Sequence, residues 1–199
     1  MTTKILETPS DSQAAIRSAA FRLLLAHSES IDVEELSDAT GIKPDRVAIV
    51  LDELDSAGRI RRDQHGRVVG SAGLSITPDR HAIELNGRKF WTWCANDILG
   101  IFAALGASGR ALSPSPDGHT IEVQFQQGRP VDNQIVLFRP DEDLMSCCEN
   151  VYEEWCPNSN LFFHAEEANR WAEERGIRGQ VLDLEVASDL GAKDWADLV

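Results

Sequence analysis

The sequence predicts an α+β fold, in which a helical N-terminal part precedes a mixed or antiparallel sheet with flanking helices. Two observations predict it. Apolar residues recur at helical spacing in the first third of the chain, and from about Gly73 short alternating stretches are interspersed with further helical patterns. The chain has 199 residues, enough for one large domain or two small ones with a sizeable buried core.

Capping residues, glycines and a proline mark the ends of the helices in the N-terminal part. Residues 1–12 are polar, and we expect a flexible lead-in. Gln13 to His27 carries apolar residues at helical spacing. A second short helix has Asp32 as its cap and Gly41 at its end, and a third begins at Pro44 and stops at Gly58.

A hairpin follows the third helix. The stretches RIRRD and GRVVG are joined by Gln64-His65-Gly66. Three helices followed by a hairpin is the order of a winged helix, so we predict a winged-helix-like domain over residues 13–72. Such a domain either binds DNA or serves as a packing module. The third helix bears only Arg46 against four acidic residues, which favours packing: Asp45, Asp52, Glu53 and Asp55.

Residues 73–199 are predicted to form the second domain. GLSI and HAIELNGRKFWTWC indicate strands around an Asn86-Gly87 turn. CANDILGIFAALG is typical of a helix, TIEVQF alternates like a half-buried strand, and QIVLFRP is a further strand. HAEEANRWAEERG predicts a helix that stops at Gly176, and the chain closes with a strand and a short helix.

Composition restricts the partners and the compartment. The net charge is −14, with 33 acidic and 19 basic residues, so we expect no nucleic-acid partner. No apolar run is long enough to span a bilayer and the N-terminus lacks a signal-peptide core, so we expect no membrane association and a cytoplasmic location. The four cysteines are then expected to be thiols, ligands or nucleophiles rather than disulfides.

One cysteine stands beside a carboxylate in a position suited to chemistry. Cys94 begins the CANDILGIFAALG helix, where free N–H groups and the helix dipole favour a thiolate, and Asp97 falls on the same helix face. A sulfur nucleophile and a carboxylate could bind an electrophile and move a proton. The pair alone is a weak signal, because cysteine is often simply buried and aspartate is common in a first turn.

The other three cysteines give no recognisable metal motif. Cys147, Cys148 and Cys156 lack the paired spacing of a zinc site. The sequence also contains no glycine-rich phosphate loop and no Gly-x-Ser-x-Gly elbow.

The segment GLSITPDRHAIELNGRKFWTWCANDILGIFAALG resembles the central segment of organomercurial (alkylmercury) lyases. GRALSPSPDGHTIEVQF is similar to that family's next strand-turn-strand. CPNSNLFFHAEEANRWAEE is similar to its cysteine-containing strand with a Phe-Phe pair, followed by a helix with a tryptophan. The resemblance covers roughly residues 13 to 180, and a winged-helix-like N-terminal part fits the same architecture.

The resemblance implies protonolysis of a carbon–mercury bond, giving a hydrocarbon and mercuric ion without a cofactor. It assigns Cys94 and Asp97 as catalytic residues that contact mercury as substrate and product. The second thiol is Cys156 or one of Cys147 and Cys148, and the Phe-Phe anchor favours Cys156. Mercury is soft, so thiolates are its natural ligands. The carboxylate would collect thiol protons and deliver one to carbon.

Further expectations follow from the same resemblance. The implied partners are an organomercurial substrate, the mercuric ion product, cellular thiols and a mercuric reductase, in mercury resistance. The organic group calls for an apolar pocket, although each aromatic candidate is singly better explained as core: Phe90, Trp91, Trp93 and Phe102. The stretch ENVYEEW departs from the family pattern and could reshape the mouth of the site.

Two other functions compete with the lyase. A relative without lyase activity could hold a soft ion between Cys94 and Cys156 as a metal-binding or sensor protein. Asp97 favours the enzyme, since protonolysis needs a proton carrier and a soft-metal site does not. A winged-helix regulator with a ligand domain is disfavoured by the net charge of −14.

Overall fold

The computed structural model describes residues 11–131 and 134–199. Within them the chain forms seven α-helices and eleven strands, and the predicted α+β class is confirmed. The helices are α1 Asp11–His27, α2 Val33–Thr40, α3 Pro44–Ser56, α4 Ala95–Leu105, α5 Glu142–Cys147, α6 Ala165–Arg175 and α7 Leu184–Asp194. The strands are β1 Ile60–Arg62, β2 Val68–Ser71, β3 Leu74–Ser75, β4 His81–Leu85, β5 Arg88–Thr92, β6 Gly109–Pro114, β7 Thr120–Gln126, β8 Arg129–Pro130, β9 Val136–Pro140, β10 Asn160–Phe162 and β11 Gly179–Asp183.

The N-terminal helices follow the signals in the sequence. Helix α1 starts at Asp11, two residues inside the predicted lead-in, and residues 1–10 lie outside the described part of the chain. Asp32 caps α2 through a reciprocal capping box with Glu35, and Gly41 closes the helix in the left-handed conformation. Each helix turns an apolar face inward, which places a helical layer against β2 and β3.

One antiparallel sheet of eight strands crosses the predicted domain boundary. Its strand order is β1-β2-β3-β5-β4-β6-β7-β8. Strand β2 pairs with β3 through Gly70 opposite Ser75 and Ser71 opposite Leu74. The division at residues 72 and 73 stays a prediction, but the hydrogen-bonded sheet and the main hydrophobic core both continue across it.

The hairpin of β4 and β5 turns at the predicted dipeptide. Asn86 and Gly87 have φ angles of 48° and 82°, the two positive values that a type I′ turn requires. This turn sets the register that pairs His81 with Thr92, and it returns β5 to the start of α4. The hairpin therefore fixes where the sequence Trp-Cys-Ala-Asn-Asp enters the core.

A second sheet carries the later part of the chain. Strand β9 lies between β10 and β11, antiparallel to both. Helix α7 then packs along α4 so closely that a Cβ on Gly191 would lie 2.6 Å from the Gly100 Cα. Trp195 covers Gly100 and donates its indole N–H to the Ala72 carbonyl at 3.0 Å. The end of the chain is thus fastened beside the start of β3. No helix in the described ranges is long and apolar enough to span a membrane.

Candidate active site

Cys94 lies between the end of β5 and the start of α4. It is the N-cap of α4, with extended backbone angles (φ −146°, ψ 171°), and its side chain has no exposed surface. Asp97 occupies the N3 position and accepts a hydrogen bond from the Cys94 N–H at 2.9 Å. This is the geometry of a capping box, and it turns the carboxylate back toward the thiol. The predicted proximity of these two side chains is therefore built by local helix geometry.

Cys156 reaches the same place from a distant part of the chain. It starts the 3₁₀ turn Cys156–Asn158, after the π-helical turn Val151–Trp155. Ser159 fixes this turn on the N-terminus of α4: its carbonyl accepts from the Ala95 N–H at 3.2 Å and its hydroxyl from the Asn96 N–H at 3.1 Å. Nothing in the sequence marked Ser159, because its role depends on a contact between remote segments.

The three predicted side chains meet in one buried group. The ligand atoms of Cys94, Asp97 and Cys156 all lie within 4.8 Å of one another. All three side chains are buried, and all four cysteines are free thiols. The group does not include Cys147, which is exposed, or Cys148, which is buried nearby in the cluster of Trp93 and Trp155.

Burial controls the protonation of the group. It raises the pKa of the Cys94 thiol well above its ordinary value, helped by the hydrogen bond to Cys156 and the charge of Asp97. The expectation that the helix N-terminus favours a Cys94 thiolate is therefore wrong, because desolvation outweighs the dipole. Burial also raises the pKa of Asp97 to about 6, against the opposing hydrogen bonds from Cys94. Near neutral pH the group thus holds a protonated Cys94 thiol beside a mostly ionised carboxylate.

The Arg80 side chain connects the segment that carries Cys94 with the segment that carries Cys156. Arg80 donates to the Trp93 carbonyl at 3.1 Å and to the Tyr152 carbonyl at 3.2 Å, so it bridges the residue before Cys94 and the π-helical turn before Cys156. The Tyr152 ring lies 4.7 Å from the Arg80 guanidinium and packs edge-on against Trp93. Val151 and Trp155 of the stretch ENVYEEW, residues 149–155, line the cavity beside the site.

A cavity of about 350 Å³ opens onto the group. Asp97 and Cys156 line it, whereas Cys94 lies behind them. Of the aromatic residues considered for an apolar pocket, Trp93 lines the cavity, and Phe90 and Phe102 are fully buried in the main core instead. Val151 and Trp155, from the stretch ENVYEEW that the sequence singled out, also line the cavity. The sequence did not single out three further apolar wall residues: Met145, Trp195 and Leu198.

Gly73 makes room for the carboxylate. Its φ is +86°, and a Cβ at this position would lie 2.4 Å from the Asp97 Cγ. Both the backbone conformation and the close approach therefore require glycine. The start of β3 is shaped around the Asp97 side chain.

A buried set of two thiols and one carboxyl, reached through a cavity lined by both aromatic and charged residues, defines an enzyme that handles a soft metal and a proton together. The family model for alkylmercury lyase (MerB) matches residues 74–196. The chain belongs to the alkylmercury lyase family.

Individual relatives agree with this assignment. The chain is 29% identical over 174 residues to an alkylmercury lyase of Staphylococcus epidermidis, covering 84% of this chain and 76% of the relative. It is 30% identical over 165 residues to an alkylmercury lyase of Pseudomonas putida, covering 79% and 73%. The crystal structure of the mercury-bound form of MerB2 superimposes with a TM-score of 0.82 at 26% identity, covering 97% of this chain and 94% of that chain.

Proposed function

We propose that this protein is an organomercurial lyase that cleaves carbon–mercury bonds by protonolysis, with Cys94 and Cys156 as mercury ligands and Asp97 as the proton carrier. The observation that carries the proposal is the buried group of two thiols and a carboxyl, whose ligand atoms lie within 4.8 Å of one another. Membership of the alkylmercury lyase family supports the same activity.

The first step is thiol exchange. An organomercurial arriving as R–Hg–SR′ meets Cys156 on the cavity wall. The Cys156 sulfur bonds to mercury, the Hg–SR′ bond breaks, and the Cys156 thiol proton leaves with R′S⁻ as R′SH. Mercury stays divalent. The alkyl or aryl group then lies against Trp93 and Trp155, which line the same cavity.

The second step brings in the buried thiol. Cys94 bonds to mercury and passes its proton to the Asp97 carboxylate, because metal binding displaces a thiol proton and this carboxylate is the neighbouring base. Two sulfur ligands raise the electron density on carbon. The C–Hg bond then breaks with its electron pair on carbon, which takes the proton from Asp97 and leaves as R–H. Mercuric ion remains on the two sulfurs, and no electron is gained or lost overall.

Gas chromatography of the hydrocarbon tests the proposal. Incubation with phenylmercury and excess thiol should release benzene from wild type. Cys94→Ser, Cys156→Ser and Asp97→Asn should each reduce turnover by at least a hundredfold, because the first two remove a soft ligand of mercury and the third removes the proton carrier. Cys147→Ser is the matched control, because Cys147 is exposed and outside the group. Tight mercury binding without benzene would contradict the lyase and identify a soft-metal binding protein.

The partners follow from the same chemistry. We propose cytoplasmic thiols as carriers of the substrate and as acceptors of the mercuric ion, with a mercuric reductase downstream, in a mercury-resistance pathway. No cofactor takes part in the two steps. Release of the ion should require free thiol, because two buried sulfur ligands hold mercury strongly.

We further propose that residues 13–72 form a winged-helix-like unit that completes the cavity instead of binding DNA, and that residues 73–199 form the catalytic domain. Arg17 on α1 and Gly58 and Arg59 after α3 lie on the cavity wall. The exposed face of α3 carries three acidic residues: Asp45, Asp52 and Glu53. That face would repel a phosphate backbone.

A further inference from the structure

The cavity has hydrogen-bond donors without acceptors. In the described part of the chain, six buried side-chain nitrogen or oxygen atoms have no hydrogen-bond partner. Four of them belong to residues that line this cavity: Arg17, Trp93, Arg139 and Trp155. All four are N–H groups. Because buried donors are normally satisfied, their concentration around one cavity indicates a missing acceptor.

Two of the cavity's cations also lack a direct ion-pair partner. Among the described residues, neither the Arg17 nor the Arg59 guanidinium forms an ion pair or a hydrogen bond, whereas Arg139 is paired with Asp194 at 3.1 Å. Burial and the positive charge of Arg59 lower the pKa of Arg17 to about 10, against the opposing negative charge of Asp97. The two guanidinium groups are therefore close enough to repel each other, and both remain charged at neutral pH.

This arrangement is unfavourable for the empty fold. Burial removes hydration from both cations, and for Arg17 the desolvation and the repulsion from Arg59 together outweigh the attraction to Asp97. Cys156 and Asp97 lie on the same cavity wall. A molecule bound at the reactive group would therefore share the cavity with the two arginines, which can bind an anionic substituent on it.

We propose that Arg17 and Arg59 form a subsite for a carboxylate carried by the substrate. The inference rests on the lyase function and adds a substrate class to it. A carboxylate has the planar shape and the acceptor atoms that a guanidinium binds in a bidentate manner. It can be part of the organic group, as in a mercuribenzoate, or part of the thiol that arrives on mercury. In the second case, exchange at Cys156 leaves the free acidic thiol held by the arginines.

Kinetics with matched substrates distinguish the two sources. In one arm, phenylmercury and 4-carboxyphenylmercury are both supplied with 2-mercaptoethanol. In the other arm, phenylmercury is supplied with 2-mercaptoethanol or with 3-mercaptopropionate. Wild type should show a kcat/KM about tenfold higher for the carboxylate-bearing partner in at least one arm, as expected for a charge-assisted hydrogen bond. The arm that shows the preference identifies the source.

Variants connect the preference to the arginines. Arg17→Gln and Arg59→Gln should each remove most of it while leaving kcat/KM for the neutral substrate within about threefold, and Arg17→Lys should retain part of it. Arg46→Gln is the matched control, since Arg46 is exposed on α3 and its loss changes the net charge equally. Absence of any preference in both arms, or an equal loss in Arg46→Gln, would overturn the subsite.

A measurement without mercury keeps this test separate from that of the lyase. Benzoate should bind wild type in calorimetry and raise its Tm, and Arg17→Gln should lose both effects. The same variant should unfold no more easily than wild type, since it removes an unpaired cation. If the protein binds benzoate but cleaves no organomercurial, the lyase proposal is refuted and the subsite is retained. If it cleaves neutral substrates but does not bind benzoate, the subsite is refuted and the lyase proposal is retained.

Discussion

Asp97→Asn should make the protein more stable while it abolishes turnover. Burial raises the pKa of Asp97 from 3.8 to about 6, so the folded state binds this proton more tightly than the unfolded chain does. At about 1.4 kcal/mol for each pKa unit, ionisation of Asp97 costs the fold about 3 kcal/mol above pH 6. The uncharged amide removes that cost, and its oxygen can still accept the Cys94 N–H.

The sign of the effect sets the pH window. Well below pH 3.8 the Asp97 carboxyl is protonated in both states, so the variant and wild type should have similar unfolding free energies there. The advantage of the variant should grow between pH 4 and 6 and stay at about 3 kcal/mol up to pH 8. Burial also lowers the pKa of His81 to about 3, which makes both proteins lose stability as the pH falls below about 6.5. That contribution cancels in the difference.

Urea unfolding followed by tryptophan fluorescence, at half-unit steps from pH 4 to 8, measures this difference through the transition midpoints at a common m value. A difference that does not change with pH would refute the raised pKa. If the variant is less stable than wild type at pH 7, the conclusion that the ionised Asp97 carboxylate lowers the free energy of unfolding is refuted.

Three further variants or measurements test the surrounding structure. Arg80→Gln should lower kcat by about tenfold, because Arg80 bridges the two thiol-bearing segments. It should also move the acid limb of the pH profile of kcat to higher pH, because the charge of Arg80 lowers the pKa of Asp97. An unchanged profile would contradict this role. Gly73→Ala should lose most activity and about 2 kcal/mol or more of stability, since its Cβ would collide with Asp97, whereas Gly66→Ala, at a φ of +79° with nothing within 4 Å, should lose stability alone. Iodoacetamide should modify Cys147 first in the native protein, because only this cysteine is exposed, and peptide mass spectrometry showing early labelling of another thiol would contradict the described burial.

The sequence was most informative where structure is local. Helix α2 has the cap and stop that Asp32 and Gly41 predict, and the hairpin turns at Asn86 and Gly87 as expected. The proximity of Cys94 and Asp97 is equally local, since they are the N-cap and the N3 residue of one helix. In each case the signal lies within a few residues, and the physics of caps and turns is sufficient to interpret it.

Long-range contacts explain what the sequence did not reveal. Ser159 and Arg80 hold Cys156 beside Cys94, yet neither has a distinctive local pattern. The high pKa of Cys94 follows from complete burial, which the helix dipole argument cannot anticipate. The choice of Cys156 over Cys147 and Cys148 came from a resemblance around a Phe-Phe pair, and the structure places Cys156 in the buried group.

Three thiols that are buried in the folded protein are exposed while the chain is being synthesised. The residues that line the cavity are spread along the chain, and Arg17 and Leu198 are the first and last of them. The site is therefore complete only when α7 has been synthesised and has packed against α4. Until then the nascent polypeptide displays all four thiols to the same soft ion that the finished site is built to receive. A mercuric ion that links two cysteines of an unfolded chain would bind the wrong state and oppose folding. Rapid folding should therefore matter as much to the yield of active protein in the presence of mercuric ion as the chemistry of the site.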